Sequence, residues 1–192
     1  MNARTLALAL IATLPAIALA DTPGTLLAKF AFDKPDTLGP WHEELKPAQE
    51  PSDLAIDTAN PHSGPSALKY RVKADVDSQR DIYTGVALAP NDAPSGRRLR
   101  FRFWARTDGA AKGDASLRVL ERGPSGVIGW LDNKVDAVVI DKGATWSEYS
   151  VDAPLKDATS MLTLQVAIAH ASAGKAVWID DLSVEQIPGA AK

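Results

Sequence analysis

The chain has 192 residues, a formal net charge of -3 and no cysteine. Without cysteine there can be no disulfide, thiolate nucleophile or thiolate metal site. The mild acidity offers no basic patch for nucleic acid or an anionic membrane surface.

The N-terminus reads as a secretory signal over residues 1–20. Arg4 supplies the positive region, Leu6 to Ile17 an apolar run broken only by Thr13 and Pro15, and Ala18-Leu19-Ala20 a small-x-small cleavage pattern. The mature chain would start at Asp21, and loss of Arg4 would take the charge from -3 to -4. The bland alternative is a retained anchor, but the run is short for a bilayer and no later segment approaches ~20 apolar residues. The expectation is export without membrane insertion, to the periplasm or the exterior. No cysteine follows the cleavage site, so an N-terminal lipid-modified Cys is excluded.

Residues 21–187 read as a single domain, long enough to bury a core without covalent staples. Residues 188–192 read as a frayed tail. Apolar residues recur with period two, bounded by Gly, Pro, Asn and Asp. Strands are predicted at 26–33, 54–57, 67–72, 81–88, 98–106, 116–121, 135–140, 146–151, 162–169 and 176–185. Asn60-Pro61-His62-Ser63-Gly64-Pro65 is a turn. Residues 152–160 have room for one short helical turn, with Pro154 against more. About ten short strands with turns between them predict an all-β, two-sheet antiparallel sandwich of jelly-roll type.

The segment from Arg98 to Arg106 is the most informative. Leu99, Phe101, Phe103 and Ala105 fall on one face; Arg98, Arg100, Arg102, Trp104 and Arg106 fall on the other. The Phe face must enter the core. The arginines then serve solubility and cross-strand pairing, or else bind sugar hydroxyls and uronate carboxylates through their planar forks.

Several catalytic motifs fail on context. Trp41-His42-Glu43-Glu44 lacks the second His of a zinc protease. Ser66-Ala67-Leu68-Lys69 lies in a strand, and Gly123-Pro124-Ser125-Gly126 is not a nucleophile elbow. A glycosidase needs two carboxylates ~5–10 Å apart across a cleft. Asp33, Asp57, Glu121, Glu148, Asp180 and Asp181 are available, but no strand clusters them.

Five segments in order carry a family likeness. Lys29-Phe30-Ala31-Phe32-Asp33 followed by Gly39-Pro40-Trp41 is the first, and His62 to Tyr70 the second. Leu99 to Arg106, Trp146-Ser147-Glu148-Tyr149 and Val177 to Val184 complete the set. Together they resemble carbohydrate-binding modules of families 4 and 9, with a galactose-binding-like jelly roll. The resemblance implies a structural calcium where the first strand meets the last. Asp33 and Asp180 or Asp181 would give carboxylates, and the backbone near Ser63 and Pro65 would give carbonyls. The commoner residue at the Asp33 position is Glu. The alternative for Asp180 and Asp181 is a bulge, since the apolar phase switches from Val177/Ile179 to Leu182/Val184 across them.

Sugar binding requires aromatic faces with amide and guanidinium groups. Tyr83, Gln165 and Arg102 are the expected groove residues, with Trp130 and then Trp41 as loop aromatics. Trp104, Trp146 and Trp178 are assigned to the core or a sandwich edge. The expected function is non-catalytic glycan binding. Its rivals are a structural component that binds a cell-envelope protein, and a small polysaccharide-active enzyme.

Overall fold

A computed structural model describes residues 24–34, 38–43, 52–75, 79–88, 96–108, 111–170 and 172–188. The signal-peptide reading lies outside these residues, as does the tail reading beyond Pro188. Twelve strands are present: β1 (Thr25–Phe30), β2 (His42–Glu43), β3 (Asp53–Asp57), β4 (Ala67–Arg71), β5 (Arg80–Ala87), β6 (Arg98–Thr107), β7 (Ala115–Gly123), β8 (Gly126–Trp130), β9 (Val138–Ile140), β10 (Ser147–Pro154), β11 (Met161–Ile168) and β12 (Ala176–Ile187). A single turn of 3-10 helix at Leu131–Asn133 is the only helical element among the described residues. The span 152–154, given room for a helical turn on sequence, continues β10 as strand.

The strands form two antiparallel sheets. The first runs β10-β6-β12-β4-β3, with β1 also on β12; the second runs β2-β5-β11-β7-β8, with β9 also on β7. From β4 to β7, and again from β10 to β12, the chain alternates between sheets at each step. Most pairings are therefore distant in sequence, as in a jelly roll.

Alternation decides which faces meet. Along β6, Leu99, Phe101, Phe103 and Ala105 are wholly buried, and every residue between them is partly exposed. Opposite them lie Ile82 and Val86 of β5, Leu162, Leu164 and Val166 of β11, and Leu117 and Val119 of β7. Phe103 also stacks on Tyr149 of β10, with ring centroids 5.4 Å apart. Burying each such phenyl ring contributes roughly 1.5–3 kcal/mol.

The bulge weighed as the alternative reading of Asp180 and Asp181 is present. β12 runs against β6 along nearly its whole length, but its register shifts between Asp180 and Ser183. Before the shift its other side pairs with β4, and after it with β1. Asp181 takes φ +48°, a left-handed conformation that Asp tolerates better than most residues. The bulge thus hands β12 from one neighbour to the next and turns two carboxylates toward the gap.

Candidate functional site

The outward face of the second sheet carries a four-residue ladder. His42 of β2 lies opposite Tyr83 of β5, Tyr83 opposite Gln165 of β11, and Gln165 opposite Arg118 of β7. Alternation produces this row: Ile82, Thr84 and Val86 point inward, leaving Tyr83, Gly85 and Ala87 outward. The His42 ring meets the Tyr83 ring edge-on at 5.3 Å, and His42 Nδ1 donates to the Pro40 carbonyl at 3.1 Å. A groove of about 320 Å³ runs beside the ladder, lined chiefly by His42, Tyr83, Gly85, Arg122, Thr163 and Gln165. Gly85 keeps its floor open, because no side chain rises there. Gln165 Oε1 is buried and has no hydrogen-bond partner among the described residues. An unsatisfied acceptor of this kind costs about 1–3 kcal/mol until a donor reaches it.

Of the predicted ligand residues, Tyr83 and Gln165 are brought together as direct cross-strand neighbours. Trp130 ends the adjacent row, opposite Leu120 of β7, on the same face. Its ring is covered by the Arg118 guanidinium, whose carbon lies 4.5 Å from the centroid. Arg118 is held there by the Val135 carbonyl at 3.1 Å and the Asp136 carboxylate at 3.4 Å.

Two predicted residues lie elsewhere. Arg102 stands on the outward face of the first sheet, between Ser150 and Ser183, on the opposite side of the sandwich from Tyr83. Trp41 is only 3% exposed and packs edge-on against Phe30 at 5.7 Å, so it offers the groove no open face. It lines instead a separate, mostly apolar depression with Phe30, Phe32, Leu38 and Pro40. The sequence reading missed His42, Arg118 and Arg122. Alternation along β7 could have found the two arginines, since Leu117, Val119 and Glu121 take the inward positions.

The residues assigned to calcium partly converge. The 60–66 turn folds over the bulge, where Asp180 Oδ2 accepts the backbone N–H of His62 at 3.0 Å and of Ser63 at 3.1 Å. Asp180 Oδ1 accepts the Asp181 N–H at 2.8 Å. Asp181 Oδ2 accepts the Ser63 hydroxyl at 2.7 Å and lies 3.0 Å from His62 Nδ1. Asp33 Oδ1 comes so close over Gly64 that a Cβ there would sit 2.8 Å from it. Pro65 belongs to the same turn. Burial raises the Asp180 pKa, against the opposing pull of its backbone N–H donors. Burial also pushes Asp181 upward, but Ser63, His62 and nearby cations outweigh it and leave the carboxyl below the ordinary value.

Calcium takes six to eight oxygen ligands. Here Asp180 Oδ2 accepts two N–H donors and Asp180 Oδ1 one, and Asp181 Oδ2 accepts the Ser63 hydroxyl. Ser63 presents its N–H and hydroxyl rather than a carbonyl, and His62 brings a nitrogen within 4.8 Å of the carboxylates. As folded, the site has three of its four Asp180 and Asp181 oxygens accepting N–H and O–H donors, which a bound cation would displace. It closes on itself as a hydrogen-bonded clasp.

The outward face of the first sheet holds the remaining tryptophans. His62 stacks on Trp104 at 3.8 Å, and Arg106 lies 5.3 Å from the Trp146 centroid and 3.9 Å from that of Trp178. Trp178 is the one that is buried, and its indole N–H donates to Asp57 at 2.6 Å. The arginine row makes the cross-strand pair expected of it: Arg100 grips Asp152 through Nε at 2.8 Å and Nη2 at 2.7 Å. Glu121 faces inward, wholly buried, and accepts from the Lys156 ammonium and backbone N–H and from the Thr159 hydroxyl. None of the six carboxylates weighed for glycosidase chemistry lines the groove.

No protein-family model and no curated protein matches the chain. Solved structures do share its fold. The CBM22-1 xylan-binding domain of Xyn10C from Paenibacillus barcinonensis superposes with a TM-score of 0.59 at 13% identity, over 89% of this chain and 100% of that one. A structure described under the promiscuous specificity of carbohydrate-binding modules of the β-sandwich superfamily gives 0.53 at 16%, over 83% and 61%. The enzymatically active domain of tailspike protein 4 of bacteriophage CBA120 gives 0.59 at 12%, over 79% of this chain and 20% of that one. The fold is a two-sheet antiparallel β-sandwich similar to that of these carbohydrate-binding modules. At such identities the likeness is one of fold.

Proposed function

We propose that this chain is an exported, non-catalytic glycan-binding domain that lays a sugar chain along the outward face of the second sheet. The observation that carries the reading is the Tyr83–Gln165 pair beside an open groove. Tyr83 supplies an aromatic surface for the apolar face of a pyranose, and Gln165 Oε1 an acceptor for a hydroxyl. The modular neighbours support glycan binding as a class, and the five-segment likeness to families 4 and 9 belongs to the same proposal. That no carboxylate among the described residues lines the groove supports binding over hydrolysis. Export rests on the signal-like residues 1–20.

An insoluble-polysaccharide pull-down and a glycan array with the mature protein test this. Retention that is lost in Tyr83→Ala supports the assignment, and retention unchanged in a Tyr83→Ala, Trp130→Ala double variant removes it. Sugar release from a retained polysaccharide would favour the enzyme. The envelope-protein reading has one observation in its favour, the aromatic and cationic face built by Trp104, Trp146 and Arg106 on the first sheet. Co-purification with an envelope protein, with silence on every glycan, would favour it.

A further inference from the structure

The second-sheet groove has a charge character that the glycan reading leaves unused. Among the described residues its lining contains Arg122 and His42 but no aspartate or glutamate. Two other outward arginines are paired with carboxylates, Arg100 with Asp152 and Arg118 with Asp136. Arg122 is different. Its Nε donates to the Thr163 hydroxyl at 2.9 Å, and no carboxylate pairs with it among the described residues. Thr163 therefore fixes the plane of the guanidinium while both terminal nitrogens stay available. A carboxylate is the anion that such a planar fork grips through two parallel bonds.

We propose that the groove selects acidic glycans, with Arg122 binding the carboxylate of a uronate unit whose ring lies on Tyr83 and whose hydroxyl donates to Gln165 Oε1. This rests on the glycan reading and names the substrate class of the same face. Three independent features converge on a uronate: an aromatic platform, an unsatisfied hydroxyl acceptor and an unpaired fork. A neutral hexose would use the first two and leave the third without a partner. The groove's volume, about 320 Å³, sits at the small end of ligand clefts and suits one or two sugar units rather than a long buried chain. A shallow, cation-bearing face also makes binding salt-sensitive, because exposed charge pairs are screened within ~10 Å at 0.1 M salt.

The test compares matched pairs of trisaccharides by isothermal titration: galacturonate with galactose, glucuronate with glucose, and mannuronate with mannose. The expected result is tighter binding of at least one acidic member by about tenfold, equivalent to ~1.4 kcal/mol. That preference should shrink as salt is raised. Arg122→Gln should abolish the preference, leaving the acidic and neutral members of each pair bound alike. The wild-type salt dependence keeps the test decisive even where Arg122→Gln folds poorly. Equal binding within every pair, or a preference untouched in a folded Arg122→Gln protein, overturns the proposal and leaves glycan binding standing. Binding to none of the six sugars, nor to any polysaccharide, overturns the glycan reading and this proposal together.

Discussion

Gln165 of β11 lies directly opposite Tyr83 of β5, and its side-chain oxygen is buried with no hydrogen-bond partner among the described residues. A ring and an unsatisfied acceptor side by side on a sheet face are what a pyranose can use together. Tyr83→Ala is expected to weaken glycan binding by about 1 kcal/mol beyond the lost burial, roughly fivefold. Trp41→Phe, which alters a buried ring, should leave affinity unchanged and lower the melting temperature. Titration of both variants against a retained polysaccharide checks the contrast.

Asp180 is expected to be a stability residue. Its carboxylate accepts three backbone N–H groups, from His62, Ser63 and Asp181. Asp180→Ala strands all three, and each hydrogen bond to a charged group is worth ~1.5–3 kcal/mol. Urea unfolding should show a loss of about 3 kcal/mol or more. Asp180→Asn, which keeps one acceptor oxygen, should lose less. A near-neutral Asp180→Ala would mean that the clasp does not hold the turn.

The same clasp predicts indifference to chelator. A cation bound only by the folded state raises the melting temperature by mass action. With three of the four oxygens of Asp180 and Asp181 taken by His62, Ser63 and Asp181 donors, melting in EDTA and in excess calcium should coincide. A calcium-dependent rise of several degrees would show that the carboxylates exchange those donors for metal.

Acid sensitivity should trace partly to the first sheet. The Arg100 hydrogen bonds hold Asp152 below the ordinary aspartate pKa of 3.8, helped by the nearby charges of Arg98 and Arg102. A depressed folded pKa means that the unfolded chain binds the proton first as pH falls. The stabilisation is complete above 3.8 and disappears as pH drops through the lower, folded value. Wild type should therefore melt above Asp152→Asn at neutral pH, with the gap closing in strong acid. A pH-independent gap would assign the effect of the substitution to packing.

Local pattern made much of this legible. Period two in residues 98–106 correctly sends Phe101 and Phe103 inward and the arginines outward, because alternation on a strand is a property of the strand itself. The phase switch at Asp180 and Asp181 reads directly as the bulge. Sheet membership is another matter. Arg102 and Tyr83 both face outward, yet they lie on different sheets, and only long-range pairing of β6 with β12 and β5 with β11 decides that. β8 was hidden by Gly126 and Gly129, which read as turn, so Trp130 looked like a loop residue. Trp41 precedes a strand of only two residues, too short to show a period, and its burial depends on Phe30 across the chain.

The handover at the bulge makes β12 the shared neighbour of β1, β4 and β6, with Thr25 beside Gln186 at the far end of the chain. Assembly order follows from that. Among the described strands, the first finds its pairing partner only in the last, so this edge of the sheet waits for β12. Contacts that span so much sequence are slow to form and leave strand edges open meanwhile. Shortening the chain before Ala176 would accordingly remove more than a strand: it would leave three others without the neighbour they hold in common.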